Sequence, residues 1–478
     1  MTEQRRFRWL GAFLVYLLIG MVLLYQYNGS FSENETRLFV ELMLCYAWTG
    51  GLILYAVLFL GLYLFEPLTF ISVIYELIFV VKPIVDLRAR KMMEHGIDTF
   101  PSGEKATLLF ALGYTALYLA YYVRLRRKER VPVLPKAEPK ADNVLLYAMW
   151  AVVFALALIG LSSQGLSLRY IFTLGSGGER ITDSDNVGLL FLTNFGVTLV
   201  SCWMMVMVRT QRRLPKILIT LVTIIYLLMR NARWLMLVFI AAPVVYHYTK
   251  RRSQPRWIVV FLIGAVGLLV FAWMQVNRAV LHAGGAMQGW GEAGLTLETL
   301  LAPFESDLNT YRAFYAAVQR FPAKFSYLYG STFLYTFVLF IPRVIWPGKP
   351  DNPVRLVIER SLNARARRSG TAMANIGEFY VNFGWIGVLV GMALLGFAAR
   401  WLQERFLQRR TLNRNERMAY SILYPLLFQW CARGNFCGNF YMTIFAMLPF
   451  LLLSLRKRAG AQPFSDAPGA MDLKGSRS

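Results

Sequence analysis

Apolar runs of about 15 to 28 residues, most of them free of charge, alternate along the chain with short polar stretches, and runs of that length cross the ~30 Å hydrocarbon core of a bilayer as helices. They fall at 9–27, 38–65, 67–85, 106–123, 143–162, 187–208, 215–229, 234–249, 257–276, 374–398, 418–433 and 437–455. In lipid a backbone must satisfy itself, so these runs read as helices. The pattern predicts an all-α polytopic membrane protein of about twelve transmembrane helices. No small-residue cleavage site precedes the polar Tyr27-Asn28-Gly29 exit of the first run, which argues against a cleaved signal peptide.

One stretch breaks the pattern. "FIPRVIWPGKPDNP", residues 340–353, carries four prolines, a tryptophan, an arginine, a lysine and an aspartate. Proline fixes φ and removes a backbone donor, so no helix continues through it. Residues 327–346 therefore read as a re-entrant or outer-leaflet element; a thirteenth span there would invert everything that follows. Residues 1–276 hold the first nine spans, 277–373 form one large outer loop, 374–458 hold the last three spans, and 459–478 form a flexible tail. That asymmetry differs from the two matched halves of many transporters.

Composition agrees: the 478 residues are 56% hydrophobic and 16% charged, with mean hydropathy +0.44. The net charge of +24 invites a nucleic-acid reading, which its distribution removes. Basic clusters at Arg5–Arg8, Arg124–Lys140, Arg209–Lys216, Lys250–Arg256, Arg400–Arg417 and Arg456–Arg458 all fall on one side of the spans. The positive-inside rule makes that side, with both termini, cytoplasmic. The basicity then serves topology and attraction to anionic membrane lipid, with no nucleic-acid partner. Of four cysteines, Cys45 and Cys202 lie inside spans as small apolar residues. Cys431 and Cys437 flank the outer turn "CARGNFC", where a disulfide is a possible alternative to free thiols.

The cations left outside cluster. Arg230 and Arg233 lie in the hairpin "LLMRNARWLML", and Arg278 leaves the ninth span. Arg312 and Arg320 share the amphipathic "DLNTYRAFYAAVQRFP", Arg343 and Lys349 bracket the Trp-Pro-Gly turn, and Arg433 sits in the last outer turn. Any one alone reads as a snorkelling interfacial residue. Together they suit a lipid-linked pyrophosphate, because arginine's planar fork matches phosphate oxygens. Trp346 adds a flat face for a sugar ring. In "NIGEFYVNFGWIG", Asn375, Glu378 and Asn382 share one helix face, fit for sugar hydroxyls, for a general base, or for a buried contact between helices. Gly384, Gly387 and Gly391 read as a close-packing stripe. Asp183 and Asp185 in "DSD" form only a weak metal motif, and no paired-carboxylate site stands out, so a metal-independent scheme without cofactors is expected.

Three of these stretches carry a resemblance. "FIPRVIWPGKP" resembles the Phe-Ile-Pro-x-x-x-Trp-Pro-x-[Arg/Lys]-Pro stretch of bacterial oligosaccharide repeat-unit polymerases, the Wzy family. "RNARWLMLVFI" is similar to that family's short arginine motif, and "GEFYVNFGWIG" resembles its Gly-Glu-x-Tyr-x-Asn-Phe-Gly-x-x-Gly motif. The family's Arg-x10-Gly and histidine motifs are matched only loosely, at Arg278 with Gly289 and at His282. The resemblance implies a glycosyltransferase in the bacterial inner membrane with a periplasmic active site and a fold like the GT-C membrane transferases. Donor and acceptor would be undecaprenyl-pyrophosphate-linked oligosaccharides, the growing glycan passing to a new repeat unit. A chain-length regulator protein is a possible partner.

On this reading the catalytic candidates are Glu378, Asp307, Arg233 and Arg343, with Glu305 behind them; the substrate-binding candidates are Arg230, Arg278, Arg312, Trp346, Lys349, Asn375, Tyr380, Asn382 and Arg433. Three rivals stand. An O-antigen ligase would use the same donor and favour His282. A GT-C transferase on a monophosphate carrier would want acidic residues such as Glu33 and Glu35 in the first outer loop. A flippase or exporter would want a charged path through the spans, most of which are clean of charge at mid-depth.

Overall fold

The computed structural model describes residues 3–123, 142–162, 192–230, 232–251, 257–282, 294, 296–339, 341, 345–349, 353–363, 371–407 and 413–459. Each of the twelve apolar runs carries a helix: Glu3–Leu24, Glu33–Phe59, Pro67–Arg88, Gly103–Tyr122, Asn143–Ser162, Phe195–Arg209, Arg213–Arg230, Arg233–Arg251, Trp257–His282, Asn375–Phe406, Arg414–Ala432 and Phe436–Ala459. Among the described residues, five contain stretches both long and apolar enough to cross a membrane: Glu33–Phe59, Pro67–Arg88, Asn143–Leu161, Asn375–Phe406 and Phe436–Ser454. Among the described residues the one departure from all-α structure is a two-stranded hairpin, Met93–Glu94 with Ile97–Asp98.

The helices pack around two apolar cores. The first gathers side chains such as Leu42, Ile71, Phe79, Phe110 and Val388 from the early spans and the helix Asn375–Phe406, which runs along Gly103–Tyr122. The second gathers Val200, Met204, Leu235, Ile422 and Ala446, with Arg233–Arg251 packed along Arg414–Ala432. Lipid-facing positions stay apolar; Leu44, Leu108, Leu119 and Leu394 are exposed.

Among the described residues, four shorter helices lie between the ninth and tenth runs: Leu297–Leu308, Thr310–Arg320, Ser331–Val338 and Pro353–Ser361. Thr310–Arg320 packs inward: Tyr311, Phe314 and Tyr315 are buried in the first core. Ser331–Val338 has eight residues, so it rises only ~12 Å and does not cross a bilayer.

One glycine-level detail corrects the sequence reading. Gly384 is not merely part of a packing stripe: the helix Asn375–Phe406 breaks at Phe383 and Gly384, the latter at φ 62°, ψ −146°. That region is open essentially to glycine alone. Gly387 and Gly391 then lie against Phe379 of the same helix. All four cysteines are buried and free, so Cys431 and Cys437 are not paired.

Candidate functional site

Three segments expected on the outer side meet at one end of the bundle. Arg233 opens one helix, Arg433 closes its antiparallel neighbour at Ala432, and Asp307 lies in the last turn of Leu297–Leu308. Asp307 Oδ1 accepts from Arg233 Nη2 and from Arg433 Nη2, each at 3.0 Å. Arg233 is buried and also reaches the Pro303 carbonyl, whereas a third of the Arg433 side chain is exposed. Arg433 Nε finds no partner among the described residues. One carboxylate between two guanidiniums leaves a net positive charge with donors held in a fixed fork. Such a cluster attracts an anion.

Basic residues at the ends of four helices lie at the opposite end of the bundle. Arg405 pairs with Glu416 at 2.6 Å, Arg209 donates to Asn415 at 2.5 Å, and Arg417 donates to the Lys250 carbonyl.

Other candidates are engaged internally. Arg312 is buried in a network that the sequence did not reveal: its Nη2 pairs with Asp86 Oδ2 at 2.7 Å and its Nη1 with Glu94 Oε2 at 3.2 Å. Lys82 Nζ takes Asp86 Oδ1 at 2.6 Å, and the Tyr311 hydroxyl donates to Asp86 Oδ2 at 2.6 Å. Burial disfavours charge on Arg312, but Tyr311 and Asp86 together outweigh it and push its proton affinity above that of an ordinary arginine. The available signal was Lys82 and Asp86 at i, i+4 near the end of an apolar run, a spacing that places them side by side. Arg320 donates to the carbonyls of Arg360 and Leu362.

Lys349 does not project from its turn. Its Nζ donates to the carbonyls of Leu339 and Ile341 at 2.8 and 3.0 Å, over the Tyr335 ring, and so caps the end of Ser331–Val338. The rigid turn folds a cation back onto the helix that precedes it. Trp346, by contrast, is 40% exposed at the tip.

On the kinked helix, Asn375, Glu378, Tyr380 and Asn382 are all buried. Asn375 accepts from the Tyr75 hydroxyl at 2.8 Å, and Tyr380 donates to the Phe321 carbonyl at 2.9 Å. Glu378 Oε2 accepts from the backbone N–H of Phe436 at 3.0 Å. Glu305 is exposed, and Arg230 ends its helix partly buried. Arg278 lies in the helix Trp257–His282, but its side chain, like that of His282, is outside the described residues. So are Arg343, Gly289 and the "DSD" stretch at 183–185. Glu76, buried beside Thr49 where Pro67–Arg88 makes a π-turn, is an exception to the charge-free interior of the spans.

Residues 361–458 match the family model O-antigen polysaccharide polymerase Wzy. The match supports the Wzy family. It contains Glu378, Tyr380, Asn382 and Arg433, and it agrees with the resemblance carried by "GEFYVNFGWIG". The Wzy match and the apolar helices together support an integral membrane protein acting as an O-antigen repeat-unit polymerase, with lipid-linked oligosaccharide as substrate. No curated protein and no solved structure matches the chain.

Proposed function

We propose that the chain polymerises oligosaccharide repeat units, transferring a growing glycan from undecaprenyl pyrophosphate to a lipid-linked repeat unit on the outer face of the inner membrane. The reading rests above all on Arg233 and Arg433 gathered on Asp307 at one end of the bundle. With about twelve helices crossing and both termini cytoplasmic, that end faces the periplasm and 277–373 forms the large loop there. The fold is of the GT-C kind, and the polymer is an O-antigen or related exopolysaccharide. A chain-length regulator is a plausible protein partner.

In the reaction an acceptor hydroxyl attacks the anomeric carbon while the bond from that carbon to the pyrophosphate oxygen breaks. The leaving group takes the electron pair as undecaprenyl pyrophosphate, and the hydroxyl proton passes to a base. Charge grows on the pyrophosphate, where Arg233 and Arg433 stabilise it without a metal; Arg230, Arg278 and Arg343 are the further cations that the sequence offers for the same task. Trp346 at its exposed tip stacks on a sugar ring.

The test is purified protein in nanodiscs given only a lipid-linked repeat unit. A ladder of products supports polymerase. Transfer of a single unit to added lipid-A core means ligase, and movement of lipid without a new glycosidic bond means transporter; either result overturns the proposal.

A further inference from the structure

The geometry points to Glu378 and Asn382 as positioning residues, which tie the short helix Ser331–Val338 and the last helix to the kinked helix and so fix the turn bearing Arg433. Neither then touches the reacting atoms.

The kink makes the junction. Because the backbone leaves helical geometry at Phe383 and Gly384, the carbonyls just before it are free to bond elsewhere. Val381 O accepts from Leu328 N and Asn382 O from Tyr329 N, each at 3.0 Å. The Asn382 side chain completes the seam. Its Oδ1 accepts from Gly330 N at 2.9 Å, and its Nδ2 donates to Thr332 Oγ1 at 2.8 Å and to Glu378 O at 2.7 Å. Gly330 is the N-cap of the short helix, so one fully buried amide anchors that helix at its start.

Glu378 anchors a second helix start. Phe436 opens the last helix, and its N–H is one of the first-turn donors that no intrahelical carbonyl can take. Glu378 Oε2 takes it at 3.0 Å. One turn later Asn439 Nδ2 donates to the Arg433 and Gln429 carbonyls at 2.9 and 3.0 Å. The Arg433 turn is thereby held from both sides. The two anchored helices also meet directly, through Phe333 on Phe436 and through the small cluster of Tyr335, Leu339, Cys437 and Tyr441.

A general base must reach the proton it removes. Glu378 is 4% exposed and spends an oxygen on a backbone N–H, so its length and acceptor matter, not its charge. Gln keeps both; Asp keeps the charge and loses the reach.

The test uses the full chain in nanodiscs with Glu378→Gln, Glu378→Asp and Asn382→Ala. Polymer yield against pH is measured, together with N-ethylmaleimide labelling of Cys437, located by peptide mass. Positioning predicts that Glu378→Gln keeps its yield, its pH profile and a protected Cys437. Glu378→Asp and Asn382→Ala lose yield and label Cys437 roughly tenfold faster, as loss of a buried hydrogen bond opens the contact. A Glu378→Gln variant down on the order of 10²-fold in yield with Cys437 still protected would make Glu378 a base and overturn the inference. Unchanged Cys437 protection in Asn382→Ala would overturn it too. The yield arm rests on the polymerase reading; the labelling arm does not, so an inactive wild type would leave the labelling order to decide.

Discussion

Arg233 and Arg433 share a single carboxylate oxygen, Oδ1 of Asp307, at 3.0 Å each. The relationship binds the start of one helix, the end of another and the large loop into one cationic corner. Replacing either arginine with lysine keeps the charge but loses the planar fork, so turnover falls. Alanine costs more, on the order of 10²-fold, as for a lost transition-state donor. Lysine serving as well as arginine in polymer yield at matched protein level would leave these residues as interfacial anchors.

Asp307 holds the two guanidiniums apart and in place. Asp307→Asn retains an oxygen acceptor and lowers yield moderately; Asp307→Ala leaves two adjacent cations uncompensated and lowers it further. The order Asp, Asn, Ala in polymer yield is the expected result.

The Arg312–Asp86 pair is structural. Removing one partner from a buried pair costs ~3–5 kcal/mol, so Asp86→Asn and Arg312→Met each lower the detergent melting temperature sharply. Lys82 and Glu94 remain as charges in the same network, so the double replacement is less severe than the sum of the singles. Additive losses would show that the two residues act separately.

Lys349 and Trp346, three residues apart, answer differently. Lys349→Met uncaps the helix Ser331–Val338, and Lys349→Arg does not restore it, because the pocket between the Leu339 and Ile341 carbonyls fits a point charge. Both variants lower thermal stability. Trp346→Ala leaves stability unchanged, since the ring is 40% exposed, and raises the substrate concentration needed for half-maximal yield.

Gly384→Ala forces a Cβ into a backbone region reserved for glycine, and against the Tyr327 hydroxyl. A strain of about 1–3 kcal/mol is expected, read as a fall in melting temperature; at Gly391 the nearest obstacle to a Cβ is the Phe379 ring.

The chain's local chemistry determined its helices. Apolar runs of bilayer length, the positive charge gathered in alternate loops and the proline-rich break at 342–353 each act through neighbours in sequence, so all were legible without coordinates. The shared face of Asn375, Glu378 and Asn382 was legible for the same reason. Their partners were not. Asn382 grips Gly330 and Thr332, Glu378 takes Phe436, and Arg312 finds Asp86, all across large sequence separations that only packing closes. The same holds for function: the sequence showed many arginines on one side, but a cation's partner depends on angstrom distances between helices. Tertiary structure alone turned Arg312 and Lys349 inward, onto buried acceptors that would otherwise go unpaired, and left Arg233 and Arg433 together on Asp307.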